Sequence, residues 1–271
     1  LSAICDTYSS IANTWEGNRP IHIGVNDGEY TDEYDISTSR YYSSAPVNDL
    51  PESVSDEKDT LIFGTSKSGA LQYGIALSRA HKLCVCSADE ASMEACYHSL
   101  FGNLTLYSDR KIVFIDGEKG AFQSMADNFP SCQYINSVEA LDIFIENLKP
   151  ELNTRLEHEA ARSIRLFIVI AEFNKFFDMI SDGQAAFMRK LLHYIDSPEY
   201  GICFICGFNA DGEKSNDSLF VTLVVNAGNY LICRNTYDKA LSKIETLPFI
   251  HGVSASNCYV CLDGKADEIR W

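Results

Sequence analysis

Short apolar runs alternate with stretches of helical spacing along most of the chain. The runs predict strands over residues 59–64, 82–88, 111–116, 165–171, 201–207 and 229–234, with a weaker one over 131–136. Apolar residues that recur with the period of a helix predict helices over 69–80, 89–101, 137–161, 183–195 and 235–247. Strands and helices in alternation are typical of an α/β fold, in which crossover helices flank a mainly parallel central sheet.

The amino-terminal part of the chain departs from this alternation. Residues 1–17 have helical spacing, and Gly17 is a typical helix end. A β segment over 20–27 is followed by an acidic turn and a return over 34–37. Residues 38–58 are rich in Ser, Pro, Asp and Glu, which predicts a surface loop.

The carboxyl-terminal stretch "NCYVCLDGKADEIRW" predicts a hairpin, because the dipeptide Asp263-Gly264 favours a tight turn between two strands. We therefore predict three parts. An appendage of helix and β structure over 1–37 packs on the core, a surface loop covers 38–58, and the α/β domain covers 59–271.

The charge balance changes the range of partners that we expect. The chain of 271 residues has 22 basic and 38 acidic residues, a net charge of −16. Duplex nucleic acid is bound through Lys and Arg that displace counterions, so this composition disfavours a nucleic-acid partner. No apolar stretch approaches the roughly 20 residues that span a bilayer, so we expect no direct membrane insertion. The amino terminus lacks a basic start and an initiator Met, which predicts a segment of a longer polypeptide rather than a signal peptide.

Ten cysteines raise the question of zinc. Two C-x-x-C pairs occur, Cys203 with Cys206 and Cys258 with Cys261, but both fall on predicted strands. Residues three apart on a strand point to opposite faces, whereas zinc needs both sulfurs on one side. The six histidines have no metal-ligand spacing either, so we expect reduced core cysteines and no metal site.

The stretch "TLIFGTSKSGALQYGIAL" has the build of a phosphate-binding loop. Its glycines have the spacing of the pattern G-x-x-x-x-G-K-[ST], after an apolar run and before a predicted helix. Ala70 and Leu71 stand where that pattern has the Lys that reaches the phosphates and the hydroxyl that holds Mg²⁺. The candidate nucleotide-binding residues are those of this vestigial loop: Gly64, Thr65, Ser66, Lys67, Ser68, Gly69, Ala70 and Leu71.

The order of segments around this loop resembles a known family. A preamble ending in Trp-x-Gly precedes "RPIHIGVNDGEYTDEYDIS", and later come "VFIDGEKGAF", "GICFICGFN" and "YLICRNTYDKALSKI". This order resembles the FtsK/SpoIIIE-type ATPase family of RecA-like motors. The "P-I-x-I-G-V" opening and the closing "CYVCLDGKADEIRW" are similar to the last ATPase domain of the EssC/EccC proteins of type VII secretion systems. The resemblance implies a RecA-like P-loop NTPase fold.

By this resemblance, the Walker B strand is "RLFIVIAEF". It ends in Ala171-Glu172 where Asp-Glu or Asp-Asp is expected, so the Mg²⁺-linked acid is missing and Glu172 remains as a vestigial catalytic residue. Asn209 either senses the γ-phosphate or is a plain strand end. Lys67 could replace the missing Lys only by folding back over the loop.

Three arginines have weaker claims to a role. Arg162 or Arg165 could serve as an arginine finger toward a neighbouring ATPase domain, although surface arginines are common. Arg234 matches the position at which the family has an arginine after an apolar strand, and a structural role at the strand end is favoured over catalysis.

The missing Lys, hydroxyl and Asp predict a degenerate ATPase domain of a type VII secretion motor. We expect it to act in substrate recognition or regulation of protein export. The resemblance implies that it binds the C-terminal signal segment of small helical-hairpin substrates, contacts neighbouring ATPase domains of the same chain, and belongs to the cytoplasmic part of a cell-membrane-anchored protein. No cofactor is expected. The alternative is a weak ATP-binding or ATP-hydrolysing domain that uses Lys67 and Glu172 with Mg²⁺, and a DNA translocase is disfavoured by the charge.

Overall fold

The structure is a computed structural model whose described residues are 23–26, 29–34, 60–66, 72–76, 81–117, 120–158, 165–195, 200–250, 253–254, 257–262 and 264–270. The chain divides into two compact units, Leu1–Tyr42 and Ser43–Trp271. In the first unit, β1 (Ile23–Asn26) pairs antiparallel with β2 (Glu29–Tyr34). The return strand therefore lies earlier than predicted, within the acidic stretch that was expected to turn. The predicted helix over 1–17 and loop over 38–58 lie outside the described residues, and the packing of the appendage stays a prediction.

The second unit is built on one sheet of ten strands. In chain order these are β3 (Thr60–Ser66), β4 (Gln72–Ala76), β5 (Lys82–Ser87), β6 (Arg110–Ile115), β7 (Cys132–Ile135), β8 (Arg165–Ile170), β9 (Ile202–Asn209), β10 (Asn229–Ile232), β11 (Cys258–Leu262) and β12 (Lys265–Arg270). Their order across the sheet is β4-β3-β12-β11-β10-β5-β9-β8-β6-β7. The six strands from β10 to β7 are mutually parallel, and the remaining pairs are antiparallel.

Helices cover both faces of this sheet. They are α1 (Glu90–Leu104), α2 (Gln123–Ala126), α3 (Val138–Glu157), α4 (Phe173–Met179), α5 (Asp182–Ile195), α6 (Ser218–Phe220), which continues into a π-helical turn over Val221–Val225, and α7 (Tyr237–Lys243). Helices α1 and α2 contribute to one buried apolar cluster, and α3 to α7 contribute to another. The parallel strands are buried on both faces, as expected for strands that lie between two helical layers. The predicted α/β fold class is confirmed.

The two C-x-x-C pairs lie on strands, as predicted, with the two cysteines of each pair on opposite faces of the sheet. Cys206 and Cys261 belong to the cluster on one face of the sheet, whereas Cys203 and Cys258 belong to the cluster on the other. The C-terminal hairpin is also confirmed, since β11 and β12 pair from Leu262 with Lys265 outward. Gly264 lies in the turn with φ of 80°, a conformation that favours glycine.

The helix predicted over 69–80 is wrong, because Gln72–Ala76 form strand β4. This strand pairs antiparallel with β3, and Leu61 lies opposite Ile75 with both side chains buried. Gly74 was a signal against this helix, because a glycine destabilises a helix by roughly 1 kcal/mol relative to Ala. In the hairpin, a Cβ on Gly74 would lie only 2.8 Å from Cγ2 of Thr60. Packing across the β3–β4 hairpin therefore favours a strand over a helix in this segment.

Candidate functional site

The topology of the sheet points to the carboxyl ends of its parallel strands. Strands β5 and β9 are neighbours, but the chain leaves them in opposite directions across the sheet. From β5 it passes β9 and β8 to reach β6, and from β9 it passes β5 to reach β10. In open α/β sheets, ligands bind in the crevice outside the carboxyl ends at such a switch point. The loop after β5 leads into α1, so it has the position of a phosphate-binding loop.

This β5–α1 connection is very short. Strand β5 ends at Ser87 and α1 begins at Glu90, so only Ala88 and Asp89 lie between them. A phosphate loop needs about four residues between its two glycines alone, so that successive amides can surround the phosphates. The connection also contains no glycine. Its length and composition do not fit the cradle of a nucleoside triphosphate.

The amides of the connection already have acceptors within the protein. The amide of Ala88 donates to Oγ1 of Thr236 at 3.0 Å, and that of Asp89 donates to Oγ of Ser87 at 3.2 Å. Asp89 is the N-cap of α1, because its Oδ1 accepts from the amide of Ser92 at 2.7 Å. A phosphate would have to displace these bonds in order to use the same donors.

Carboxylates occupy the position at which phosphates would approach. Asp89 and Glu90 are both exposed at the amino terminus of α1, where negative charge is favourable to the helix dipole. Lys175 of α4 reaches across the edge and forms an ion pair with Glu90. These carboxylates repel a triphosphate, and the amine of Lys175 is already paired with Glu90.

Glu172 lies at this edge, directly after β8, as predicted. Its carboxylate caps α4 by accepting from the amides of Asn174 at 2.9 Å and Lys175 at 3.2 Å. The residue is 7% exposed. Both oxygens are therefore engaged by backbone donors, which is a structural role that the sequence reading did not foresee.

Asn209 and Arg234 also lie at the carboxyl edge. Asn209 ends β9 opposite Ser87 of β5, and its Oδ1 accepts from the amide of Asp211 at 3.0 Å. Arg234 is exposed just after β10. Arg165, in contrast, is the first residue of β8 and so lies at the opposite edge of the sheet. Arg162 lies outside the described residues.

The glycine-rich stretch lies elsewhere in the sheet. Residues 64–66 belong to β3, which is separated from β5 by three strands, β12, β11 and β10, and from β8 by those three and by β5 and β9. The start of β3 is held at the amino edge, because Ile62 donates to Oδ1 of Asn103 at 3.2 Å and Arg110 donates to the carbonyl of Thr60 at 3.2 Å. Residues 67–71 lie outside the described residues. The described part of the predicted loop and Glu172 are not brought together.

Asp116, at the end of β6, is a buried carboxylate that the sequence reading missed. It is 1% exposed and accepts from the amides of Gly117 at 2.8 Å and Phe122 at 2.9 Å and from the hydroxyl of Tyr134 at 2.8 Å. Burial, and then this hydrogen bond, raise the pKa of Tyr134 well above its usual value. The signal was present in "VFIDGE", an acidic residue at the end of an apolar strand. Asp116 organises the loop after β6.

A separate cleft opens beside the start of β10. Its volume is about 350 Å³, and it is lined by Asn226, Gly228, Tyr230, Thr246, Pro248, Cys261 and Gly264. Phe249, next in the chain to the lining residue Pro248, is 79% exposed. Among the described residues, no group of His, Cys, Asp and Glu side chains could hold a metal ion. None of the described helices is long and apolar enough to cross a membrane.

Comparison with solved structures identifies the fold. The cytoplasmic domain of EssC matches with a TM-score of 0.63 and 13% identity, over 78% of this chain and 43% of that chain. EccC of Thermomonospora curvata, solved as ATPases 2 and 3 in complex with a signal sequence peptide, matches with a TM-score of 0.58 and 14% identity, over 84% of this chain and 43% of that chain. The chain has the fold of the EssC and EccC ATPase domains.

The same fold extends to a conjugation protein. The pCW3 conjugation coupling protein TcpA, in its monomer form with ATPγS, matches with a TM-score of 0.56 and 13% identity, over 98% of this chain and 81% of that chain. The chain spans less than half of the EssC and EccC chains to which it is similar. No protein-family model and no curated protein matches the sequence. The predicted resemblance to these ATPase domains is confirmed at the level of the fold.

Proposed function

We propose that this chain is a degenerate ATPase domain of a type VII secretion motor, which recognises export substrates instead of hydrolysing ATP. The observation that carries the proposal is the β5–α1 connection. It is two residues long, contains no glycine and presents the carboxylates of Asp89 and Glu90 where an active relative would bind phosphate. Fold similarity to EssC and EccC supports the secretion system as its setting.

The partner that we propose is the C-terminal signal segment of a small helical-hairpin export substrate. The similar EccC protein was solved with a signal sequence peptide, which supports this class of ligand. Such a segment docks as a short amphipathic helix with its apolar face in a groove. The cleft beside β10 has a size suited to an apolar side chain, and Phe249, which follows the lining residue Pro248 in the chain, adds exposed apolar surface.

The neighbouring ATPase domains of the parent protein are the second class of partner that we propose. In this arrangement, the domain is part of the cytoplasmic portion of a membrane-anchored motor, and the ATP that drives export is hydrolysed by other domains. Because this domain does not turn over nucleotide, it conveys the presence of substrate to those domains through its surface.

The proposal is tested by titrating the purified chain with a panel of C-terminal segments from small helical-hairpin export substrates. We expect saturable binding of one segment, measured by fluorescence anisotropy, and at least a tenfold loss of affinity in Phe249→Ser, which corresponds to about 1.4 kcal/mol. Leu106→Ser is the matched control, because Leu106 is 70% exposed but lies just beyond the end of α1. Equal losses in both variants, or no saturable binding of any segment, would remove the proposed substrate role.

The same preparation tests the weak-ATPase alternative. MgATP turnover above background that disappears in Lys67→Ala and in Glu172→Gln would establish that alternative. We expect no turnover in either variant or in the unmodified chain, because the described end of β3 and the carboxylate of Glu172 belong to separate parts of the sheet.

A further inference from the structure

The carboxyl edge is held together by buried hydrogen bonds that join separate elements. Tyr97 of α1 is fully buried, and its hydroxyl donates to the carbonyls of Ala171 at 2.8 Å and Ile170 at 3.2 Å, at the end of β8. Burial raises the pKa of Tyr97 well above its usual value, so the hydroxyl remains a donor at all working pH values. This bond ties the helix after β5 to the residue that precedes Glu172.

Gly207 of β9 makes the approach of Tyr97 feasible. A Cβ at this position would lie 2.3 Å from the Tyr97 hydroxyl and 2.0 Å from the Ala171 carbonyl oxygen. Real Cβ atoms do not come this close to backbone oxygens, so a side chain here would push α1 and β8 apart. The glycine and the phenol therefore form one unit across three elements of the fold.

Thr236, just before α7, makes the second tie. It is fully buried, and its hydroxyl accepts from the amide of Ala88 at 3.0 Å while donating to the carbonyl of Arg234 at 3.0 Å. The thiol of Cys233 adds a contact to the carbonyl of Ser92 at 3.6 Å. These bonds fix the β5–α1 connection to the segment after β10.

The ion pair between Glu90 and Lys175 makes the third tie, from the start of α1 to α4. Both side chains are partly exposed, so this pair is the weakest of the three. Tyr97, Thr236 and the Glu90–Lys175 pair are called the edge network below. Together they join α1 and the loop between β5 and α1 to three other elements. These are the end of β8, the start of α4 and the segment between β10 and α7.

In a working ATPase of this fold, MgATP contacts the loop after the first strand and the Walker B acid at the same time, so the nucleotide couples these elements. We propose that the edge network replaces the nucleotide in this chain and holds the same elements in one arrangement permanently. The inference rests on the proposed function, since it assumes that the edge does not bind ATP. Its consequence is a domain whose conformation does not follow the ATP cycle of its neighbours.

Hydrogen exchange of the full 271-residue chain, measured by mass spectrometry, tests this inference. In Tyr97→Phe and in Thr236→Val, we expect amide exchange over residues 87–93 and 170–176 to accelerate about tenfold, as befits the loss of one buried hydrogen bond. Exchange in α3, which none of the bonds of the edge network joins, should stay unchanged. Thr236→Ser keeps the hydroxyl and should restore the exchange of the unmodified chain.

Thr105→Val is the matched control. The Thr105 hydroxyl also donates to a carbonyl in α1, that of Phe101 at 2.7 Å, but this bond is local to the helix end. If Tyr97→Phe and Thr236→Val exchange no faster at the edge than Thr105→Val, the edge network does not hold these elements. An equal acceleration throughout α3 would likewise overturn the inference, because it would reflect global destabilisation.

Addition of MgATP to the unmodified chain separates this inference from the proposed function. Protection of residues 87–93 by MgATP would show that the edge binds nucleotide, and both proposals would then fail. If MgATP has no effect and the two variants behave like Thr105→Val, the proposed function stands and only the inference about the edge network fails. Faster local exchange in the variants, with no effect of MgATP, is the result that we expect.

Discussion

The carboxyl edge of the parallel strands and the cleft beside β10 differ in how their polar groups are satisfied. At the edge, backbone amides and carbonyls bond to buried side chains such as Tyr97 and Thr236, and the carboxylates of Asp89 and Glu90 are exposed. The cleft has a volume of about 350 Å³, and Phe249, which follows the lining residue Pro248 in the chain, is 79% exposed. The amides and carbonyls of the edge are thus satisfied within the protein, whereas open space lies at the cleft.

The largest expected effect concerns the buried thiols of the sheet. Burial raises the pKa of Cys203 to about 12 and raises the pKa values of Cys84 and Cys206 as well, and a hydrogen bond with Cys84, followed by burial, raises the pKa of Cys86. An unfolded thiol releases its proton near pH 8.5, so the Cys203 thiol favours unfolding by about 2 kcal/mol at pH 10. Its contribution to stability is complete below about pH 8.5 and falls above it. We expect urea unfolding to show a loss of more than ~2 kcal/mol between pH 7.5 and 10, because the other buried thiols add to the contribution of Cys203.

Cys203→Ala is the control for this pH dependence. Between pH 7.5 and 10, the variant should lose about 2 kcal/mol less of its free energy of unfolding than the unmodified chain, because it lacks one buried thiol. This difference does not depend on the stability of the variant at neutral pH. A pH profile identical to that of the unmodified chain would mean that Cys203 ionises equally in both states.

Gly207→Ala breaks the closed edge directly. Because the new Cβ would meet the Ala171 carbonyl and the Tyr97 hydroxyl, we expect a loss of about 2–4 kcal/mol in the free energy of unfolding. Gly102→Ala, in α1, is the matched control, since nothing lies within 4 Å of its Cβ position. That variant should be neutral or more stable by up to roughly 1 kcal/mol. Similar behaviour of the two variants in urea would contradict the packing described for the edge.

Asp116→Asn tests how much the hydrogen bonds to the buried Asp116 carboxylate stabilise the fold. An amide nitrogen cannot accept the hydrogen bonds that Gly117, Phe122 and Tyr134 donate to two oxygens, so we expect a loss of about 1–3 kcal/mol in chemical denaturation. Asp127→Asn serves for comparison, because Asp127 is exposed and accepts from Gln123 at 2.8 Å at the surface. A larger loss in Asp127→Asn would be evidence against a structural role for Asp116.

Glu172→Ala has the smallest expected effect on stability and tests whether Glu172 caps α4. As the N-cap of α4, Glu172 should contribute about 1 kcal/mol to the free energy of unfolding. Glu213→Ala, in the exposed loop after β9, should change it by less than about 0.5 kcal/mol. Thermal unfolding resolves the two. If Glu172→Ala is as stable as the unmodified chain, the capping role is wrong.

Much of the fold could be predicted because the parallel strands are nearly continuous apolar runs. Strand β8, for example, was predicted over 165–171 and extends over Arg165–Ile170, and Glu172 was correctly placed at its end. Burial on both faces leaves such strands with an unmistakable pattern. Helix α1 was predicted over 89–101 and covers Glu90–Leu104 for a similar reason, since its buried residues keep helical spacing.

The phosphate-loop position could not be found by its motif, because the residues that define the motif are absent there. Ser87-Ala88-Asp89-Glu90 has no glycine, whereas Gly64 and Gly69 have the expected spacing in a different part of the sequence. Only the pairing of β3 with β12 and the order of strands across the sheet, both long-range properties, show that β3 is separated from β5 by β12, β11 and β10. The local spacing of residues does not encode which strands pair.

We propose that the carboxyl edge does not bind MgATP. Isothermal titration calorimetry of the purified chain with MgATP measures this binding, with an active ATPase of the same fold as the positive control. We expect no saturable heat up to millimolar MgATP. Saturable binding at micromolar MgATP that is weakened by Thr236→Val would contradict it, because the edge would then be a nucleotide site.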